Sequence, residues 1–206
     1  MWSSADVLPR MECGQLFVVS APAGTGKNTL VNKLLAEFPL VIQESISCTT
    51  RKPRAGEIDG VHYHFLDKEI FHQRVADGDF LEYAEVFGNY YGTSRSLVEK
   101  LQRGGIHVVL VIDTQGALEM MKSIDATYIF IMPPSIEELR RRLMLRNTES
   151  NEERERRLSW AEREINAAVY YDYLVVNQEI DTAYEVMRSI VIAETHRNQS
   201  KKFIRS

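Results

Sequence analysis

Four short apolar runs recur along the chain: LFVVS at 16–20, HVVLVID at 107–113, TYIFIM at 127–132 and YLVVN at 173–177. Each is strand-sized and lacks the in-and-out alternation of a half-wetted strand. Each therefore predicts a strand buried on both faces, as in a parallel sheet covered by helices. Between them, apolar positions fall at helical spacing over Lys27–Phe38, Ser94–Arg103, Gln115–Lys122, Ile136–Arg146 and Ile180–His196. Strand and helix alternate, so the predicted class is α/β with a central parallel sheet. One helix start is explicit. Pro133 and Pro134 stop the third run, Ser135 and Glu138 form a capping box, and Leu139 and Leu143 then face the core.

Two segments break the alternation. Residues 47–93 are polar and turn-rich, with TTRKPRAGEIDG followed by the alternating runs HYHF and FLEYAEVF, which predicts a small mixed-sheet insertion. Residues 140–166 contain RRRLMLRNTESNEERERRL, Arg and Glu packed together, and read as two short helices. The chain shows no internal repeat and no low-complexity linker, so both segments read as insertions in one core. Specificity is expected to reside in them.

Composition narrows the picture. With 206 residues and 44% hydrophobic content the chain can bury a real core, which excludes disordered and fibrous classes. A formal net charge of -4 argues against wholesale nucleic-acid binding, so basic clusters must be read locally. Two cysteines, Cys13 and Cys48, make neither a disulfide framework nor a four-ligand zinc site, and a reducing compartment is the simpler expectation. The opening MWSSADVLPRMECG has neither the basic start nor the apolar stretch of a signal peptide and is expected to be a mobile leader, residues 1–14. No apolar run nears the ~18 residues that span a bilayer, so no membrane partner and a cytoplasmic setting are expected. Asn198-Gln199-Ser200 matches a glycosylation acceptor by chance in that setting.

The candidate chemistry begins after the first run, at SAPAGTGKNTL, residues 20–30. A strand, a Gly-bearing turn and a helix whose second residue follows a Lys match the pattern of a phosphate-binding loop, in which successive backbone N–H groups and the helix N-terminus face one concavity. Gly24, Gly26 and Lys27 are in place, within a loop comprising Ala21, Pro22, Ala23, Gly24, Thr25, Gly26, Lys27, Asn28 and Thr29. The usual pattern is G-x-x-x-x-G-K-[ST]. Ala21 stands for its first Gly, a mild change at negative φ. Asn28 stands for its hydroxyl residue, a Mg²⁺ ligand, and offers a carbonyl oxygen on a bulkier side chain. Thr29 does not replace it, because one helical step turns a side chain by about 100°. The loop alone leaves nucleotide binding and a plain strand-to-helix turn equally open.

The segments SCTTRKPRAGEIDGVHYHF, FLEYAEVFGNYYGTS and VLVIDTQG follow that loop in order, and with them the chain resembles the guanylate kinases from about residue 15 to 196. The resemblance implies a three-layer P-loop fold whose core, residues 15–46, 94–139 and 167–206, carries ATP. It implies a GMP-binding insertion at 47–93 and a helical lid at 140–166. Arg51 and Arg54 then bind the GMP phosphate with forked guanidiniums, helped by Tyr63 and Tyr91. Glu82 accepts from guanine N1–H and the exocyclic amine, a donor pair adenine lacks, and Ser47 and Thr93 serve the O6/N7 side. Asp113, at a strand end, belongs to the site near GMP; Asn177 lies near adenine. Arg142, Arg146 and Arg157 match lid arginines that act with Lys27 on the transferring phosphoryl. Without the resemblance, Arg51 and Arg54 read as a basic turn, Tyr63 and Tyr91 as strand or turn aromatics, Ser47 and Thr93 as capping hydroxyls and Asp113 as a helix cap, while Arg140, Arg141, Arg154 and Arg156 read as a Glu-paired surface outside the site.

The implied reaction is ATP plus GMP giving ADP plus GDP, with Mg²⁺. The acceptor phosphate is already an anionic nucleophile, so no general base is required and catalysis reduces to positioning and charge neutralisation. Family members often carry an acid where this chain has Val111 and Gly where it has Asn147, which leaves fewer metal anchors and an altered hinge. Two rivals remain. One is another phosphotransferase on the same core, against which Glu82 and Ser47 argue. The other is a guanylate-kinase-like protein-binding module, supported by Ala21, Asn28 and Val111 and opposed by Lys27, Gly24, Gly26 and the lid arginines. Oligomeric state is not encoded legibly.

Overall fold

A computed structural model describes residues 7–86, 88–145 and 151–197, with the side chains of 145 and 151–157 outside the description. The chain runs β1 (Leu16–Ser20), α1 (Lys27–Glu37), β2 (Ile42–Glu44), β3 (Cys48–Thr49), β4 (His64–Phe65), α2 (Lys68–Ala76), β5 (Phe80–Val86) and β6 (Asn89–Ser94). It continues α3 (Arg95–Arg103), β7 (His107–Val111), α4 (Thr114–Met120), β8 (Thr127–Met132), α5 (Ile136–Leu145) and α6 (Asn151–Asn166). A 3₁₀ turn at Ala167–Tyr170, β9 (Tyr173–Val176) and α7 (Ile180–Thr195) complete the described order.

The expected α/β class is what forms. Five strands make one sheet in the order β2-β7-β1-β8-β9, every pairing parallel. Alternate residues of each central strand feed two cores. Phe17, Val19, Val109, Ile129 and Ile131 pack toward Leu30, Leu34, Ala183 and Met187 of α1 and α7. Leu16, Val18, Val108, Leu110 and Phe130 pack toward Val98, Ala117, Met120 and Tyr171 on the other face. Three layers follow directly from strands apolar on both sides. At the sheet's edge the pattern relaxes: Leu174 and Val176 of β9 are about half exposed (50% and 51%), although their sequence looks as buried as β1.

A second, four-stranded sheet has the order β4-β3-β6-β5, with β3-β4 parallel and β3-β6 and β5-β6 antiparallel. Its own small core joins Cys48, Phe71 of α2 and Phe80, the two rings stacked with centroids 4.6 Å apart. The mixed sheet was legible in sequence; the helix α2 inside it was not.

Two expectations are corrected. The Arg/Glu-rich stretch does hold two helices, the end of α5 and α6, but α6 is not short: it extends over 16 residues and buries Leu158 and Ala161 against Leu139 and Leu143 of α5. Residues 7–14 are not a loose leader. Leu8 is fully buried in the main core, and His107 bridges the segment by accepting from Gln15 N at Nδ1 (3.1 Å) and meeting Pro9 O at Nε2 (3.0 Å). The capping box is half made: Ser135 Oγ accepts from Glu138 N at 3.1 Å, while the Glu138 carboxylate turns to Arg141 and Arg142.

Candidate active site

The parallel sheet ends at one rim where β1 passes into the loop at 21–26. Gly24 and Gly26 both take left-handed φ (89° and 87°), conformations that favour glycine. Side chains confine the loop from outside. Asn177, just after β9, is buried and donates Nδ2–H to Thr25 O at 2.6 Å; a Cβ at Gly26 would stand 2.5 Å from that nitrogen. Thr25 Oγ1 donates to Pro22 O at 2.8 Å, and Leu143 of α5 would lie 3.0 Å from a Cβ at Gly24. Helix α1 starts with Gly26 as its cap, with no side-chain capping bond and no acid in its first turn. Its N-terminal N–H groups and positive dipole end therefore remain for an anion. Ala21, Pro22 and Thr25 are buried beneath the loop; Ala23, Asn28 and Thr29 are exposed.

Lys27 reaches across to Ile112 O (3.3 Å), beyond the end of β7. Burial lowers its pKa, and the carboxylates of Glu164, Asp113 and Glu44 pull it back up, Glu164 most strongly. Asp113 caps α4, its Oδ1 accepting from Gln115 N (2.8 Å) and Gly116 N (3.0 Å). Its two readings, cap and site acid, occupy the same place. Glu164 of α6 accepts from Thr114 Oγ1 at 3.1 Å, and burial pushes its carboxyl up to about 7.

On the mixed-sheet side, β5 and β6 set Glu82 opposite Thr93. Thr93 Oγ1 donates to Glu82 Oε1 at 2.6 Å, both residues are buried, and desolvation raises the Glu82 carboxyl to about 7, with Asp113 adding to the rise. Arg51 is forked onto Glu57 by two bonds of 2.9 Å and lies over the Tyr63 ring at 5.4 Å. That pairing holds the Arg51 pKa above its usual value and drops the Glu57 carboxyl to about 2. Tyr63 and Tyr91 meet edge to face at 5.9 Å, and burial raises the Tyr63 hydroxyl. Arg54 is exposed, its backbone N–H held by Glu57 Oε2 at 2.7 Å. Ser47 is half-buried at the start of β3, where its carbonyl accepts from His64 N.

Arg142 of α5 donates to Glu138 (2.8 Å) and to Asn177 O (3.1 Å), so it lies against the same residue that props the loop. Arg146 lies outside the described residues. Arg157 falls within α6, and its side chain is outside them too.

Thus the loop, Lys27, Asp113, Asn177 and Arg142 gather at one rim, with Glu82 linked to it through Asp113. Arg51, Tyr63 and Tyr91 form a second group on the mixed sheet. Sequence reasoning missed Glu164, Thr114, Glu44 and Glu57. Glu164 carried a signal in sitting three residues past the buried Ala161 on an otherwise charged helix, and Glu57 stood inside the segment TTRKPRAGE without an assigned role.

A family model described as guanylate kinase matches residues 13–194. The chain is 56% identical to the guanylate kinase of Protochlamydia amoebophila over 188 residues, covering 91% of this chain and 95% of that one. It is 46% identical to that of Chlamydia felis over 184 residues, 89% and 90% of the two chains. Among solved structures, the guanylate kinase of Anaplasma phagocytophilum superposes with a TM-score of 0.74 at 38% identity, covering 91% and 89%.

Proposed function

The chain belongs to the guanylate kinase family, and from that premise we infer how its own residues divide the work of transferring the γ-phosphoryl of ATP to GMP. The enzyme is an ATP:GMP phosphotransferase, a nucleoside monophosphate kinase, and the relatives favour this over a binding module. The observation that carries the residue assignment is the meeting of two chemistries at one rim: an open helix N-terminus with Lys27, and a buried carboxylate, Glu82, tied to a hydroxyl.

ATP would enter with its phosphates against the 21–29 loop and adenine near Asn177, and the helix dipole and Lys27 would share the β/γ charge. GMP would lie on the mixed sheet. Arg51, Arg54, Tyr63 and Tyr91 bind its phosphate, and Glu82, Ser47 and Thr93 read its base. Arg51 is held open-handed by Glu57, so a phosphate competes with a carboxylate that already enforces the forked geometry. Asp113 joins the two halves. Arg142, Arg146 and Arg157 on the 140–166 segment would close on the transferring group and keep water from it.

The residues fit Mg²⁺ carried with the nucleotide. Among the described residues no group of three His, Cys, Asp or Glu could hold a metal, while Asn28 is exposed in the first turn of α1 beside Lys27. Mg²⁺ commonly takes one or two protein oxygens plus phosphates and waters, and Asn28 Oδ1 would supply one of them. When bound, the ion would neutralise charge on the β- and γ-phosphate oxygens. Among the described residues no helix is long and apolar enough to cross a membrane, and Cys13 and Cys48 are free; the family membership supports ATP and GMP as the partners.

A coupled ADP-release assay with ATP, Mg²⁺ and either GMP or AMP tests the reading. GMP-dependent turnover is expected, with AMP inert. Asn28→Thr is expected to raise turnover severalfold at limiting Mg²⁺ and little at saturation. Turnover with AMP equal to that with GMP would sink the assignment of Glu82.

A further inference from the structure

Gly116, third residue of α4, is a glycine without a conformational reason. It is buried within a helix and is not among the glycines with positive φ, so Ala would suit its backbone better. The reason lies in space. A Cβ at this position would stand 2.5 Å from Glu82 Oε2, a distance that real Cβ atoms essentially never show, and 3.2 Å from Glu82 Cδ, a tight contact; the next neighbour, Ile112 Cδ1, would be at 3.7 Å. Glu82 has nowhere to retreat. Its other oxygen takes the Thr93 hydroxyl at 2.6 Å, its backbone is fixed opposite Thr93 by the β5-β6 pairing, and the residue is only 5% exposed.

We propose that Gly116 is a positioning residue for acceptor specificity: the missing side chain on the core helix lets the Glu82 carboxylate of the mixed sheet lie at the angle that reads guanine. The proposal rests on the reading of Glu82 as the guanine acceptor. Thr93 sets Oε1 and the gap at Gly116 sets Oε2, so the carboxylate plane is defined by one residue from each sheet's territory. Both oxygens matter for guanine, which presents N1–H and an exocyclic N–H in parallel. Hypoxanthine keeps N1–H and lacks the amine, so a tilted carboxylate loses one bond to guanine and little to hypoxanthine.

The test compares kcat/KM for GMP and for inosine monophosphate in the parent, Gly116→Ala, Glu82→Gln and the double variant Gly116→Ala/Glu82→Asp. Gly116→Ala is expected to lower the GMP-to-inosine-monophosphate ratio by about tenfold, chiefly through KM for GMP, with KM for ATP within about twofold. The shorter acid in the double variant makes room for the methyl group and is expected to restore part of the ratio, a rescue that general damage to folding does not produce. If Glu82→Gln collapses the ratio while Gly116→Ala leaves it at the parent value, or lowers both substrates equally, the proposal is overturned. If Glu82→Gln also leaves the ratio unchanged, the reading of Glu82 has failed and Gly116 falls with it. Should Gly116→Ala fail to fold by thermal denaturation, the double variant against Glu82→Asp alone decides the point: kcat/KM unchanged for both substrates between the folded pair supports the relieved clash, and a lower kcat/KM in the double variant, for either substrate or for both, overturns it.

Discussion

The two nucleotide sides of this molecule are built from different materials. The loop side is mostly backbone: two left-handed glycines, a helix end without a side-chain cap, and a carbonyl at residue 25 pinned by Asn177. The mixed-sheet side is mostly side chains: Arg51 on Glu57, Tyr63 on Tyr91, Glu82 on Thr93. A site made of N–H groups reads charge and shape and tolerates substitutions such as Ala21 and Asn28. A site made of side chains reads donors and acceptors and tolerates little. On the proposed assignment the loop side supplies reactivity and the mixed-sheet side supplies selection.

Three experiments stress that division. The largest effect is expected at Lys27, the charged side chain in the loop itself. Lys27→Met should lower kcat on the order of 10²–10³ while KM for GMP stays within a few fold, measured by steady-state kinetics. A matching rise in KM for GMP would mean the two sides are not separable. Next comes Arg51. Arg51→Ala should raise KM for GMP roughly 10²-fold and Arg51→Lys recover only part of it, because the lost feature is the fork and not the charge. Full recovery by Lys would show that the mixed-sheet side also reads charge alone.

The smallest effect is a pH dependence. Glu82 is raised from 4.5 to about 7 by burial, so folding favours its protonated form; the stability this contributes is fully present below about 4.5 and is lost as pH rises through about 7. Guanine requires the ionised form. KM for GMP should therefore rise as pH falls below about 7, by up to about tenfold per pH unit, and Glu82→Gln should abolish that component while the phosphate's own titration persists. An unchanged profile in Glu82→Gln would assign the dependence elsewhere.

How far the sequence carried this reading depends on which force acts at each place. The central strands were legible because burial on both faces leaves a continuous apolar run, as in β1 and β8. Helix α2 was not, since a single fully buried residue, Phe71, anchors its packing with Val75 partly buried beside it, while Ile70 faces solvent among polar neighbours. Leu8 looked like part of a leader because nothing local shows that His107, about a hundred residues away, organises the segment. Lys27 and both loop glycines could be named from spacing, because a phosphate loop is a local device. Glu57 could not: its role as the partner of Arg51 comes from the fold of a turn, and a Glu in a polar loop usually means solvent.

The sheet order has a consequence in time. β1 is central, and its partners are residues 107–111 and 127–132, whereas the β5-β6 hairpin closes on itself within 15 residues. During synthesis at 5–20 residues per second, β1 emerges roughly ten seconds before its pairing strands exist. Asn177, which pins the loop, comes later still. The first part of the active site to be made is thus the last to be shaped, and the apolar LFVVS waits unpaired while the mixed sheet can already close. Nascent chains stalled before residue 107 should expose that segment to holdase chaperones, and chains released past residue 177 should not.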